Sequence, residues 1–225
     1  MATAEKSSKE NKSSRTAAKK TARASGTKSA AASSDARKKR AQAVASKSAA
    51  KKATRVSAKD DKSLSDLFEH ALGDIYYAEK KIYKSLPKMI KAADHPELVQ
   101  ALTSHREETA GQIEKLEAIF ELLGKRAKAE KCDAIDGILE ESESLLEDFG
   151  SSVAADAAII FSCQAIEHYE ITRYGSMRAF ADALGMDEAK QHIDDILAQE
   201  KAADASLTEL AEDSVNAAAS DYDEE

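Results

Sequence analysis

The chain has 225 residues, of which 33% are charged, 42% are hydrophobic and only 5% are aromatic, with 2 Pro and 8 Gly. So few helix-breaking and aromatic residues favour an all-α protein and argue against a β-rich fold. Its net charge of -8 conceals a basic segment, residues 1–62 at +13, and an acidic remainder, residues 63–225 at -21. No stretch has the apolar length of a membrane span or the apolar core of a signal peptide, so the sequence predicts a cytoplasmic protein.

Residues 1–62 form a basic arm with 18 Lys and Arg, 5 Asp and Glu, and no Leu, Ile, Phe, Tyr or Trp. A segment with so little to bury cannot offset the entropy lost on ordering, so we expect disorder. Its charge fits non-specific DNA binding and association with the nucleoid. The alternative is that the arm lies on its own acidic domain or binds another acidic partner. The expected phosphate contacts are Lys19, Lys20, Arg37, Lys38, Lys39, Arg40, Lys51, Lys52 and Arg55.

Residues 63–215 are predicted to form one domain of four long helices, arranged as two hairpins. A longer connection that contains a short helix joins the hairpins, which is the layout of a four-helix bundle with one long crossover. Cap residues, Gly and Pro set the expected ends of the helices. The predicted helices span, in chain order, residues 63 to about 93, 96–123, 134–149, about 152–184 and about 187–212. Residues 216–225 are expected to form a frayed acidic tail.

Polar residues interrupt the apolar stripe near the midpoint of every long helix. Glu79, for example, lies in the same row as Ile75 and Ile82. Antiparallel helices of equal length bring their midpoints to one level, so these residues should converge on a single buried site. They are Glu79 on the first long helix, His105, Glu108 and Gln112 on the second, Glu167 and Glu170 on the third, and Glu200 and Asp204 on the fourth.

Carboxylates that face one another in a dry core repel and take up protons, and few Lys or Arg fall on these stripes to neutralise them. Two metal ions would resolve the conflict, and a site rich in oxygen suits iron or manganese better than zinc or copper. We therefore expect two iron ions, or manganese, bound by the six carboxylates. His105 is a candidate nitrogen ligand or a satisfied core histidine. Gln112 is expected beside the ligands, and Glu170 and Asp204 could instead be solvated boundary residues.

Four stretches of the helical domain resemble the YciE/YciF branch of the ferritin-like superfamily. They are LFEHALGDIYYAEKKI, HREETAGQIEKLEAIFELLG, QAIEHYEITRYGSM and LAQEKAADASLTELA. The resemblance covers the helical domain and none of the basic arm. It implies a ferritin-like di-metal bundle, related to rubrerythrins, in a bacterial stress protein of the ferroxidase type. The rubrerythrin pattern of ligands matches Glu79, Glu108, the pair Glu167 and Glu170, and Glu200.

The nitrogen ligands depart from the usual ferritin-like pattern, which is Glu-x-x-His on the second and fourth helices. Here the third residue after Glu108 is Gly111, and the third residue after Glu200 is Ala203. The nearest polar residues are Gln112 and Asp204, and His105 lies where it could substitute as a nitrogen ligand. The pattern thus predicts metal binding more directly than it predicts redox chemistry.

Two functions from different classes follow from these features. The first is a di-iron oxidoreductase of the ferroxidase or peroxidase type, which oxidises Fe(II) with O2 or peroxide. The second is a nucleic-acid-associated structural protein, in which the bundle is an oligomerisation scaffold and the arm supplies the activity. The two can combine, because an arm on DNA would place the iron chemistry there. We also expect the chain to form a homodimer or a larger homo-oligomer.

Overall fold

The computed structural model describes residues 61–221, and every regular element in that range is helical. The helices are α1 (Leu64–Ala92), α2 (Pro96–Leu122), α3 (Asp133–Phe149), α4 (Ala155–Leu184), α5 (Asp187–Leu210) and α6 (Asn216–Ser220), with a π-helical turn at Ala211–Val215. The all-α prediction is confirmed. The basic arm up to residue 60, with all its candidate phosphate contacts, lies outside the described residues. None of the described helices is both long and apolar enough to cross a membrane.

The helix boundaries follow local signals in the sequence. A capping box starts α1: the Ser63 hydroxyl accepts a hydrogen bond from the Asp66 amide at 3.1 Å, and the Asp66 carboxylate accepts one from the Ser63 amide at 2.7 Å. Pro96 occupies the first turn of α2, where a missing amide proton costs nothing. Gly124 and Gly185 follow α2 and α4 with φ of +67° and +69°, a conformation that glycine adopts without strain.

The last helix extends further than the sequence predicted. Its end was expected near Glu212, but the π-helical turn and α6 continue the helical path to Ser220. The predicted acidic tail therefore includes a helical segment. Ala211 and Val215 in the π-helical turn are buried in the core, and this packing holds a segment whose own polar sequence gives little sign of order.

Helices α1, α2, α4 and α5 form a four-helix bundle. Each of α1 and α5 packs against both α2 and α4, and α3 contacts α1 and α4 from the connection between the hairpins. Only residues 93–95 separate α1 from α2, and only residues 185–186 separate α4 from α5. Connections this short make the paired helices antiparallel neighbours, so their midpoints lie side by side in the interior.

Candidate metal centre

Four glutamates lie in the interior of the bundle. Glu79 on α1, Glu167 and Glu170 on α4, and Glu200 on α5 each expose 2% or less of their surface. Among residues 61–221, no lysine or arginine is buried with them. Burial of a carboxylate without a partner of opposite charge costs several kcal/mol or more. The four glutamates therefore need either protons or an added cation.

His105 completes the group from α2. Its Nε2 atom lies 3.3 Å from Glu167 Oε1. One ligand atom from each of His105, Glu167, Glu170 and Glu200 lies within 4.8 Å of the other three. Burial lowers the pKa of His105 to about 4, so the imidazole is neutral at pH 7 and offers a lone pair. This arrangement can hold a metal ion.

Unpartnered polar atoms concentrate in this group. Buried polar atoms in proteins are almost always hydrogen-bonded, so each exception calls for an explanation. Five exceptions occur on the four glutamates and the histidine, and cations bound among the carboxylates would satisfy the four oxygen atoms in this set. The five atoms are Glu79 Oε2, His105 Nδ1, Glu167 Oε2, Glu170 Oε1 and Glu200 Oε2.

Glu79 is held in place by a tyrosine that is not one of the predicted ligands. The hydroxyl of Tyr174, which is fully buried on α4, donates a hydrogen bond to Glu79 Oε1. The bond leaves Oε2 as the unpartnered oxygen. Tyr174 follows Glu170 by one helical turn on the buried stripe, and that spacing is the signal by which it could have been found.

Gln112 plays the corresponding part for Glu200. The Gln112 side-chain amide donates a hydrogen bond to Glu200 Oε1 and lies 3.4 Å from the Gln199 side-chain oxygen. Gln112 is itself 1% exposed. It thus contacts a candidate ligand and helps to fix its orientation.

Two of the predicted ligands lie at the edge of the group, outside its buried part. The Glu108 side chain is 44% exposed, and its Oε2 lies 4.0 Å from His105 Nδ1. The Asp204 side chain is 22% exposed and lies 3.2 Å from His168 Nε2. The prediction that Glu108 is buried was wrong. The buried residues of α2 follow one another at alternating intervals of four and three residues, and this row includes Thr109 instead of Glu108. That row is Leu98, Leu102, His105, Thr109, Gln112, Leu116 and Ile119.

A cleft of about 360 Å³ leads to the group between α2 and α5. Its lining includes the buried residues His105 and Glu167 and the exposed residue Glu108. The group is therefore reachable from solvent. The other lining residues are Glu97, Gln100, Ala101, Leu102, Ser104, Ala202, Ala203, Ser206 and Leu207.

The metal-free bundle should lose stability as the pH rises. Burial, with a smaller effect of the Glu200 charge, raises the pKa of Glu79 from 4.5 to about 8, and burial raises the pKa of Glu200 to about 7. Above pH 4.5 the folded state therefore binds more protons than the unfolded state, and the free energy of unfolding falls until these groups have ionised. We expect the urea midpoint of chelator-treated protein to be lower at pH 8.5 than at pH 7.

Two comparisons connect this effect to the site. Glu79→Gln, which cannot ionise, should weaken the pH dependence of the metal-free protein. Protein saturated with metal should show a flatter dependence, because bound cations favour the ionised carboxylates. The range above pH 7 avoids the ordinary titration of histidine, whose unperturbed pKa is about 6.5. A midpoint that rises between pH 7 and pH 8.5 in the metal-free wild type would contradict the prediction.

Known proteins resemble this chain in sequence and in fold. Residues 63–220 match the family described as a domain of unknown function, DUF892. Protein YciF of Escherichia coli K12 is 38% identical over 156 residues, which cover 69% of this chain and 94% of YciF. The match to the crystal structure of that stress protein covers 69% of this chain and 99% of the YciF chain, with a TM-score of 0.66. The structure of YcfI from Rhodopseudomonas palustris is 43% identical in sequence. The match covers 68% of this chain and 98% of the YcfI chain, with a TM-score of 0.65.

Proposed function

The chain belongs to the DUF892 family, and we propose that its bundle is a ferritin-like di-metal site that binds two ions of iron or manganese and oxidises Fe(II) with O2 or peroxide. The observation that carries this proposal is the buried group. Four glutamates and one histidine each retain an unpartnered polar atom, in a core where residues 61–221 provide no buried lysine or arginine.

The donor set of this group fits the proposed metals. Glu79, Glu167, Glu170 and Glu200 would bind through carboxylate oxygens and His105 through a ring nitrogen. Hard oxygen donors with one imidazole suit iron or manganese better than copper. Bound iron would supply the one-electron chemistry of Fe(II) oxidation. Asp204 is proposed as a ligand at the margin of the site, since it follows Glu200 by about one helical turn, whereas Glu108 is too exposed to be counted among the resident ligands.

The surrounding side chains would hold the ligands in place. The Tyr174 hydroxyl and the Gln112 amide each bind one oxygen of a glutamate, so the free oxygen of that glutamate is presented in a fixed orientation. Ile75 and Ile82, buried about one turn to either side of Glu79, limit the access of water to that carboxylate. A ligand set held in this way needs little rearrangement when it is loaded, which favours tight binding.

Metal content after aerobic purification tests this proposal. We expect two iron or manganese ions per chain by elemental analysis of the full-length protein, since one mononuclear site would leave several of the carboxylates without a cation. Anaerobic addition of Fe(II), followed by O2 or peroxide, should then give faster oxidation than the same iron in buffer. A protein that remains free of metal after incubation with Fe(II) and Mn(II) would contradict the proposal.

A second candidate function is that of a nucleic-acid-associated structural protein. Two observations favour it: the basic arm has a net charge of +13, and the similar protein YcfI is described as a candidate structural protein. In this function the arm binds DNA without sequence preference, and the bundle serves as a scaffold that associates into a homodimer or larger homo-oligomer. The two functions combine if the arm places the di-iron site at the nucleoid. The arm would otherwise lie on the acidic bundle.

A further inference from the structure

We infer that the cleft between α2 and α5 is the route by which a divalent cation reaches the buried group, and that Glu108 is the carboxylate that captures it at the mouth. The inference rests on the proposed function, because it gives that site its path of loading. It also explains why Glu108 is exposed while the other four glutamates are buried.

Three lining residues form a graded series from solvent to core. Side-chain exposure falls from 44% at Glu108 to 9% at His105 and 2% at Glu167. Glu108 Oε2 lies 4.0 Å from one ring nitrogen of His105, and the other ring nitrogen lies 3.3 Å from Glu167 Oε1. A cation cannot enter a dry core bare, because the loss of its hydration is too costly. Ligands at successive depths allow it to exchange its waters one at a time.

The inner end of the cleft carries unpartnered atoms that point to such a ligand. Glu167 Oε2 and His105 Nδ1 are both buried and have no hydrogen-bond partner, and both residues line the cleft. The exposed acidic residues at the mouth would not indicate a site by themselves. Together with these two buried atoms, they indicate a path that favours positive charge along its length.

Small side chains keep the path open. Ala202, Ala203 and Ser206 on α5 face Ala101 and Ser104 on α2 across the cleft, and none of them fills it. At about 30 Å³ per water molecule, an ion with six waters needs roughly 180 Å³. The cleft of about 360 Å³ therefore has room for a hydrated divalent cation at its mouth.

Stopped-flow uptake of Co(II) by the metal-free, full-length protein tests the route. The chain has no Trp, so tyrosine emission reports the binding, and Tyr174 lies beside the group. Ala203→Phe places a phenyl ring in the cleft and should slow uptake several-fold, with the final Co(II) content unchanged. Ala205→Phe is the matched control, since residue 205 is an exposed alanine on the same helix that does not line the cleft. Its uptake should equal that of the wild type.

A second pair of variants tests the capture residue without adding bulk. Glu108→Gln should slow uptake at low ionic strength by about tenfold, the lower end of electrostatic steering effects, and leave the final Co(II) content unchanged. Glu107→Gln removes the same charge from the neighbouring exposed position, which does not line the cleft, and should have little effect. Circular dichroism checks that all four variants keep the helical fold.

The outcomes separate this inference from the proposed function. Equal uptake rates for Ala203→Phe and Ala205→Phe would overturn the route. Equal rates for the two glutamine variants, or a lower final Co(II) content for Glu108→Gln, would overturn the capture role, the latter by making Glu108 a resident ligand. A wild type that binds no Co(II), Fe(II) or Mn(II) at equilibrium would instead overturn the proposed metal site, whatever the rates.

Discussion

Replacement of Glu167 or Glu200 with Ala should lower the bound metal well below the wild-type content. Both glutamates lie in the group whose ligand atoms are within 4.8 Å of one another, and each has an unpartnered buried oxygen. Removal of either carboxylate takes away a ligand and part of the negative charge that holds the cation. The measurement is elemental analysis of each purified variant after incubation with Fe(II) or Mn(II) and removal of excess metal.

The control for this prediction is Glu209→Ala, which removes an exposed glutamate from α5. It should keep the wild-type metal content. The buried variants are expected to remain folded when free of metal, because loss of a buried carboxyl group also removes its desolvation cost, and circular dichroism tests this directly. If Glu167→Ala and Glu200→Ala both kept full stoichiometry, the site would lie elsewhere or be absent.

Deletion of residues 1–62 should abolish DNA binding and leave the bundle folded. The deleted segment carries a net charge of +13, and the first buried core residue of the described bundle is Phe68, which the deletion leaves in place. The α1 capping box survives, because it begins at Ser63. The truncated protein should keep its helical circular dichroism per folded residue, with a melting temperature within a few degrees of the full-length protein.

The salt dependence of the intact protein tests the same charge. If the arm makes 6–10 phosphate contacts, its affinity for DNA should fall by a factor of about 10³–10⁵ between 50 and 200 mM salt. Binding releases counterions from the DNA, and this release becomes less favourable as the salt concentration rises. Different DNA sequences should bind about equally, since phosphate contacts carry no base information. Equal affinity of truncated and full-length protein at low salt would refute the arm's role. Unfolding of the truncated bundle would show instead that the arm docks on the acidic domain.

The five longer helices were predictable from the sequence because their signals are local. A Ser-x-x-Asp capping box, a Pro in a first turn and two glycines with positive φ mark ends that need no knowledge of the rest of the chain. The extension to Ser220 was not predictable in this way. It depends on the burial of Ala211 and Val215 against the rest of the bundle.

The candidate site also contains residues that the sequence could predict and one that it could not. Helices in two antiparallel hairpins bring their midpoints to one level, so Glu79, Glu167, Glu170 and Glu200 could be chosen as candidates from their spacing, and the structure buries all four. The exposed position of Glu108 could not be predicted in this way. A shift of one residue in the buried row of α2 buries Thr109 and leaves Glu108 exposed. A helix of 3.6 residues per turn leaves that choice to the packing of its neighbours.

The sequence by itself determined an all-α chain, the order of its helices, and an interior with more acid than its own basic residues can neutralise. Only the tertiary structure decided which atoms remain unpartnered there. Tyr174 meets Glu79 across 95 residues of chain, and Gln112 meets Glu200 across 88. Each of these bonds uses one oxygen of a carboxylate and leaves the other free. Pairings over such separations arise from the packing of whole helices, which no local pattern in the sequence specifies.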